Sequence, residues 1–431
     1  MGSDAGSSRV EDCTCLSGFV LDGFGGCYHP STYLFNASAP DYPLDHTFAG
    51  TYATRALEPV AGYDNGTDSF LEVDASSYLT SPEFYWKGGV LGPDGLVYLV
   101  PHYGSRIGVF DPVTNLFSVA APTLATGINK YWGGALAPNG LIIFAPYGSD
   151  NVGVFNPVTD VFSTYDIGDV LIERFAGCVL GADGQIYFVP YQSADVGIFN
   201  PVTSVYSTAG VVSIPGSYKF IGGVLAPNGR IVFVPSNVNS LAVFDPATSD
   251  LYYVPVPARS NGLMKYFGGV LAPNGKIYFT PTARYSQHVA MFDPVTGAFD
   301  EIDTVIPEKN VMFDGAVLAR NGKIWFLPRQ SLSALVFDPA TNATYFVTGA
   351  VTANYAGGVL APNGKIICVP YSGAWDGSAN RMKVGVFTPG NTDPAYMVAG
   401  GVPQACTTLP PRTLRQNLQT LCPYHDSAFL L

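Results

Sequence analysis

Residues 268–281 read GGVLAPNGKIYFTP and residues 289–296 read VAMFDPVT, and these two stretches decide the fold because the chain repeats them. A pair of small residues opens each copy, at Gly88, Gly133, Gly177, Gly222, Gly268, Gly315 and Gly357, with successive starts 42 to 47 residues apart. Asn274-Gly275 separates two apolar runs, as do Asp94-Gly95, Asn139-Gly140 and Asn228-Gly229. Such a dipeptide between such runs is a strong hairpin signal, so the runs are the first two strands of a unit. Phe-Asp-Pro at Phe110, Phe244, Phe292 and Phe337, or Phe-Asn-Pro at Phe155 and Phe199, ends a third run. Proline cannot donate to a ladder and fixes the chain for a turn. A fourth strand follows, and no stretch keeps an apolar period of 3.6 for more than two turns, so helix is not expected.

Four strands per unit, seven times over, predict an all-β fold: a seven-bladed β-propeller of four-stranded antiparallel blades across residues 84–400. Residues 66–75 (GTDSFLEVDA) read like the ending of a unit that has no first three strands. They are expected to add the outer strand to the blade begun at Gly357, a place for which Ala395 to Ala399 competes. Around the ring lie residues 1–47, residues 48–83 leading into it, and a tail over 401–431.

With 431 residues, 47% of them hydrophobic, the chain can bury a large core. Only 13% are charged, about half the usual share, so solubility leans on Ser, Thr, Asn and Tyr, on attached sugar, or on coverage by neighbours in an assembly. A net charge of −12 argues against a nucleic-acid partner, which needs a basic stripe. There is no run of 18 apolar residues, so no membrane-spanning helix is expected. The polar start MGSDAGSSRV carries no apolar leader.

Cys13, Cys15 and Cys27 sit in CTCLSGFVLDGFGGC, which resembles the second half of an epidermal-growth-factor-like module. The resemblance implies that Cys15 pairs with Cys27, and that Cys13 belongs with an upstream cysteine the chain lacks. A truncated module, or a chain cut from a longer precursor, is therefore expected. A zinc cluster fits less well, since only His29 stands nearby. Cys406 and Cys422 flank a polar stretch and are expected to close it by a disulfide in an oxidising compartment. Cys178 and Cys368 fall at apolar positions and are expected to be buried free thiols. The sequons at Asn36, Asn65 and Asn342 are candidate glycosylation sites. Together these features predict an extracellular or cell-surface location.

In an antiparallel meander the Asn-Gly and Asp-Pro turns share one face, and the second-to-third and blade-to-blade connections share the other. That second, variable face carries two candidate rings around the channel mouth. One is a basic residue before an aromatic, at Lys130, Arg174, Lys219 and Lys265; the other follows the second strand, at Tyr147, Tyr191 and Tyr371, with Tyr103 offset by one. Rings of this kind could bind glycans or grip an acidic partner, or pack the gaps between blades. The longest insertion, YSGAWDGSANRMK over 371–383, adds Trp375, Asp376 and Arg381 as candidate binding residues, and Arg329-Gln330 is a second departure.

Catalytic signatures are missing. The segments expected to line the channel read Val-Leu-Ala or Val-Leu-Gly, His102 and His288 read as lone surface histidines, and no cofactor or metal set is expected. Asn321 to Phe326 (NGKIWF) resembles the repeat of streptogramin-lyase-like propellers. That family implies a magnesium site of acidic residues and histidine, which does not map onto this chain. The repeat as a whole is similar to tandem GGVLAPNGKIYF-type repeats in large extracellular proteins of unicellular eukaryotes, including algae. Together with the growth-factor-like segment, that resemblance implies a structural or protein-interaction propeller, not an enzyme, whose partners are other subunits of a surface coat or of a filament such as a flagellar hair. A carbohydrate-binding propeller, with equivalent pockets in several blades, is the first alternative. A metal-dependent lyase or hydrolase of the streptogramin type is the second.

Overall fold

Each unit folds as its turns dictate. In the fifth, Tyr266–Leu271 and Ile277–Pro281 form a hairpin over Asn274-Gly275, and Val289–Phe292 and Phe299–Ile302 follow in the same antiparallel sheet. Gly275 takes a φ of 76°, which a side chain would strain, and Asn274 Oδ1 accepts the Lys276 N–H at 3.1 Å. At the other turn Asp293 Oδ1 accepts the N–H groups of Val295 (2.9 Å) and Thr296 (3.2 Å). The same Asx turn recurs at Asp111, Asn156 and Asn200.

The computed structural model describes residues 68–75 and 86–390, apart from 125–128, 169–172, 257–262, 283–286, 305, 307–311, 349–350, 353 and 372–381. It also describes a short strand pair, Val20–Leu21 with Cys27–Tyr28. Seven four-stranded antiparallel sheets make seven blades, and there is no helix among the described residues. Blades are numbered here from the one that starts at Trp86. In the seventh, Asn354–Leu360, Ile366–Tyr371 and Lys383–Thr388 take their outer strand from Ser69–Asp74, with Phe70 opposite Phe387. The N-terminal side of the chain thus closes the ring.

Hydrophobic burial sits between blades. The first and second strands are buried at every residue of blades 1 to 6, whereas outer strands face solvent, as in Val161–Asp166, where no residue is fully buried. Seven apolar clusters each join two neighbours, and the closing one packs Trp86, Leu99 and Phe110 of blade 1 against Val359, Ile367 and Val386 of blade 7; an eighth spans blades 2 to 5 at the mouth. Cys178 and Cys368 are free, buried thiols within these clusters.

The uniform turns also stitch blade to blade. Asn139, Asn228, Asn321 and Asn363 donate from Nδ2 to the carbonyls of Pro201, Pro294, Gly390 and Pro112, each in the next blade. Where the second strand carries a tyrosine, the turn residue bonds its hydroxyl instead: Asp94 to Tyr98, Asp183 to Tyr187, Asn274 to Tyr278. The Asn363 stitch crosses the closure between blades 7 and 1, beside Lys365 Nζ on the same carbonyl. An Asn363→Ala protein should lose about 1 kcal/mol in urea unfolding; an unchanged midpoint would show the stitch to be energetically idle.

Candidate binding site at the axial mouth

Seven glycines build the axis. Gly88, Gly133, Gly177, Gly222, Gly268, Gly315 and Gly357 all have left-handed φ, and all seven first strands slip register across this point. A Cβ on Gly222 would lie 3.0 Å from Gly268 Cα, and one on Gly315 would lie 2.9 Å from Gly357 Cα. Backbone therefore packs on backbone around the axis. The Val-Leu segments expected to line the channel are instead buried within the blades.

The residue just before each first glycine faces the mouth on the variable face. These positions hold Lys87, Trp132, Ala176, Ile221, Phe267, Asp314 and Ala356. The residue after each second-strand proline adds His102, Tyr147, Tyr191, Ser236, Thr282, Arg329 and Tyr371. Aromatic contact is continuous on one side: Trp132 to Tyr147 at 5.0 Å, Tyr147 to Tyr191 at 5.8 Å and Tyr191 to Tyr218 at 4.9 Å between ring centroids. Glu173 lies among their hydroxyls and accepts from Gln192 Nε2 at 2.6 Å. Burial, then the neighbouring Tyr191 and Glu173, push the Tyr147 hydroxyl far above its ordinary value.

Charge occupies the other side. Arg329 pairs with Asp314 at 3.1 Å while its guanidinium lies 5.1 Å from the Phe267 ring and 5.0 Å from Tyr371. Burial pushes the Asp314 carboxyl up, with Arg329 and Lys87 acting against it. Lys87 Nζ sits 3.1 Å from the centroid of Trp132. His102 is not on the surface, contrary to its sequence reading: it is buried beside Trp132 and Tyr147, and its Nδ1–H donates to Tyr131 O at 2.7 Å. Burial and the adjacent Lys87 hold its imidazole well below the ordinary value. His288 is half-buried, 3.9 Å from Asp303.

The recurrent basic residues join blades. The backbone N–H groups of Lys130, Arg174, Lys219 and Lys265 donate to His102, Tyr147, Tyr191 and Ser236 of the preceding blade, at 2.7 to 3.0 Å. Lys130, Lys219 and Lys265 also donate from Nζ to the carbonyls of Gly104, Gln192 and Val238. All four side chains are buried, and burial lowers Lys130 to about 8. The residue before each, Asn129, Glu173, Tyr218 and Met264, is left-handed, which turns the chain into the new blade. Arg174 lies 5.4 Å from the Phe175 ring.

Tyr147, Tyr191 and Tyr371 thus meet at the mouth, and Tyr103 is half-buried with its ring 6.2 Å from His102. Trp375, Asp376 and Arg381 lie outside the described residues, as do Cys15, Cys406, Cys422, Asn36, Asn65 and Ala395 to Ala399. Asn342 is exposed in the turn between the third and fourth strands of blade 6. Lys87, Asp314, Glu173 and His102 were not singled out as site residues from sequence. For Lys87 and Asp314 the signal was an asymmetry: two charges at a position that the other five units fill with apolar residues. Among the described residues no group of three His, Cys, Asp or Glu is placed to hold a metal.

Comparison with protein-family models and with curated proteins returns no match. Among solved structures, a streptogramin B lyase superposes with a TM-score of 0.61 at 18% identity, over 74% of this chain and 97% of that one. A catalytically inactive virginiamycin B lyase from Staphylococcus aureus, solved with quinupristin, gives 0.62 at 14%, over 75% and 100%. The extracellular domain of a hybrid two-component system from B. thetaiotaomicron gives 0.55 at 11%, over 75% of this chain and 42% of that one. At these identities the likeness establishes the seven-bladed propeller and no activity. No helix among the described residues is long and apolar enough to cross a membrane.

Proposed function

We propose that this chain is an extracellular interaction propeller, a subunit of a surface coat or filament such as a flagellar hair, which docks another protein subunit on its Asn-Gly and Asp-Pro face. The observation that carries this reading is a repeated set of exposed aliphatics. Val113, Val158, Val202 and Val295, at the same place in four units, are 61, 84, 80 and 85% exposed. In blades 1 to 3 a second exposed residue, Leu116, Val161 or Val205, opens the outer strand just beyond the turn. Single exposed aliphatics are ordinary, but the same pair in three consecutive blades concentrates apolar surface on one arc. A chain with only 13% charged residues suits a protein partner there rather than a polyelectrolyte.

The test is electron microscopy of the protein isolated from its source, together with sedimentation of the full chain and of a Val113→Lys, Val158→Lys, Val202→Lys variant. Regular assemblies with this face in contact, dispersed by the triple variant, are expected. A free monomer at all concentrations would remove assembly as the role. The carbohydrate reading requires equivalent pockets in several blades, and the position after the second-strand proline repeats its residue in only three of them, as Tyr147, Tyr191 and Tyr371. The lyase reading gains only a shared fold from its structural neighbours.

A further inference from the structure

Lys87 has no counterpart in the other six units. Trp132 lies 3.1 Å from its Nζ, Tyr371 5.6 Å and Tyr147 5.9 Å, measured to ring centroids, and only 6% of the residue is exposed. Lys130, Lys219, Lys265, Lys365 and Lys383 each donate from Nζ to an oxygen. Among the described residues none accepts a hydrogen bond from Lys87. The nearby acceptors are committed elsewhere: Asp314 to Arg329, Glu173 to Gln192 and the tyrosine hydroxyls. An ammonium with so little exposure and no acceptor among the described residues is costly, and the neutral amine lowers that cost. Burial and then the Arg329 guanidinium push Lys87 well below its ordinary value, against a pull from Asp314 and Glu173. His102, a further titratable group beside it, is held neutral by its own burial. A lysine desolvated among apolar groups, beside a second cation, is an amine activated as a nucleophile at neutral pH.

We propose that Lys87 is a reactive amine at the axial mouth that captures small aldehydes or ketones as an imine. Its Nζ lone pair attacks the carbonyl carbon, a C–N bond forms, and the carbonyl π pair moves to oxygen. Oxygen takes up a proton as nitrogen releases one. The carbinolamine then expels its hydroxyl, with a second proton, as water, leaving Nζ doubly bonded to carbon. Both nitrogen protons leave with the oxygen, and no oxidant or reductant is needed. The rings of Trp132, Tyr147 and Tyr371 crowd Nζ and so favour small carbonyl compounds. This chemistry is independent of assembly through the opposite face.

The test treats the full-length protein with propanal and cyanoborohydride, from about pH 7 to about pH 10, and maps the propylated lysines by peptide mass spectrometry. At neutral pH Lys87 should be modified about tenfold faster than Lys276 and Lys323, with a rate that stays flat as theirs climb. Lys87→Met and Lys87→Arg, each checked for fold by near-ultraviolet circular dichroism, should lose that fast site while the remaining lysines react unchanged. A folded protein in which Lys87 stays unmodified, or reacts no faster than Lys276 and Lys323, would overturn the proposal.

Discussion

A Gly222→Ala protein should lose about 4 kcal/mol of stability, while Gly229→Ala, seven residues away by the neighbouring turn, should lose about 1 kcal/mol. Both glycines are left-handed, with φ of 74° and 80°, so both substitutions meet the same backbone strain. They differ in what the new methyl meets. At Gly229 nothing lies within 4 Å, whereas at Gly222 the Cβ would sit 3.0 Å from the Cα of Gly268. That neighbour is backbone of the next first strand and cannot rotate away, so the blades must separate and give up part of the cluster between them, which includes Val224, Tyr266 and Leu271. Gly315→Ala, facing Gly357 Cα at 2.9 Å, should behave like Gly222→Ala. Equal unfolding midpoints for Gly222→Ala and Gly229→Ala would mean that the axial collar carries no packing and that strain alone selects these glycines.

The collar also shows where the sequence was readable. The turn chemistry of Asn-Gly and Phe-Asp-Pro is local, set by φ and by side chains two residues away, so strand order followed from it directly. The repeat period then fixed the blade count, because each unit needs neighbours on both sides to bury its faces. The mouth was harder to read. Lys130, Lys219 and Lys265 recur, and recurrence alone does not tell a binding ring from a stitch; only their bonds to Gly104, Gln192 and Val238 show them tying blades together. Lys87 broke the pattern but stands after its aromatic, Trp86, where the other basic residues stand before theirs. Its neighbours Arg329 and Tyr371 come from blades 6 and 7, more than 240 residues away in sequence and adjacent only once the ring closes. The exposed valines follow the turn motif and were legible as sequence, but their solvent exposure depends on where the motif lies in the blade.

One carboxylate reinforces closure, and Glu72→Ala should lower stability by about 2 kcal/mol. Glu72 lies on the strand Ser69–Asp74, and its oxygens accept the Thr352 N–H at 2.7 Å, the Thr352 hydroxyl at 2.5 Å, Lys383 Nζ at 2.9 Å and the Tyr355 hydroxyl at 3.1 Å. Thr352, Tyr355 and Lys383 all belong to the last blade or lead into it, so this side chain adds four bonds to the strand pairing that joins the N-terminal segment to a partner about 300 residues downstream. Burial acts to raise this carboxyl, but the bonds from Thr352 and Lys383 outweigh it and leave the group below its ordinary value of 4.5. A carboxylate depressed in the folded state contributes stability that is whole above the unfolded value and fades as pH falls through the folded one. The clasp should therefore hold at neutral pH and weaken below about pH 4.5, and Glu72→Gln should be less stable than wild type only above that range. Urea midpoints of the two proteins between about pH 6 and about pH 3 measure this, with hydrogen exchange at residues 69–74 reporting release of the strand. A difference between the two proteins that stays constant down to pH 3 would show that the carboxylate's charge does not hold the ring closed.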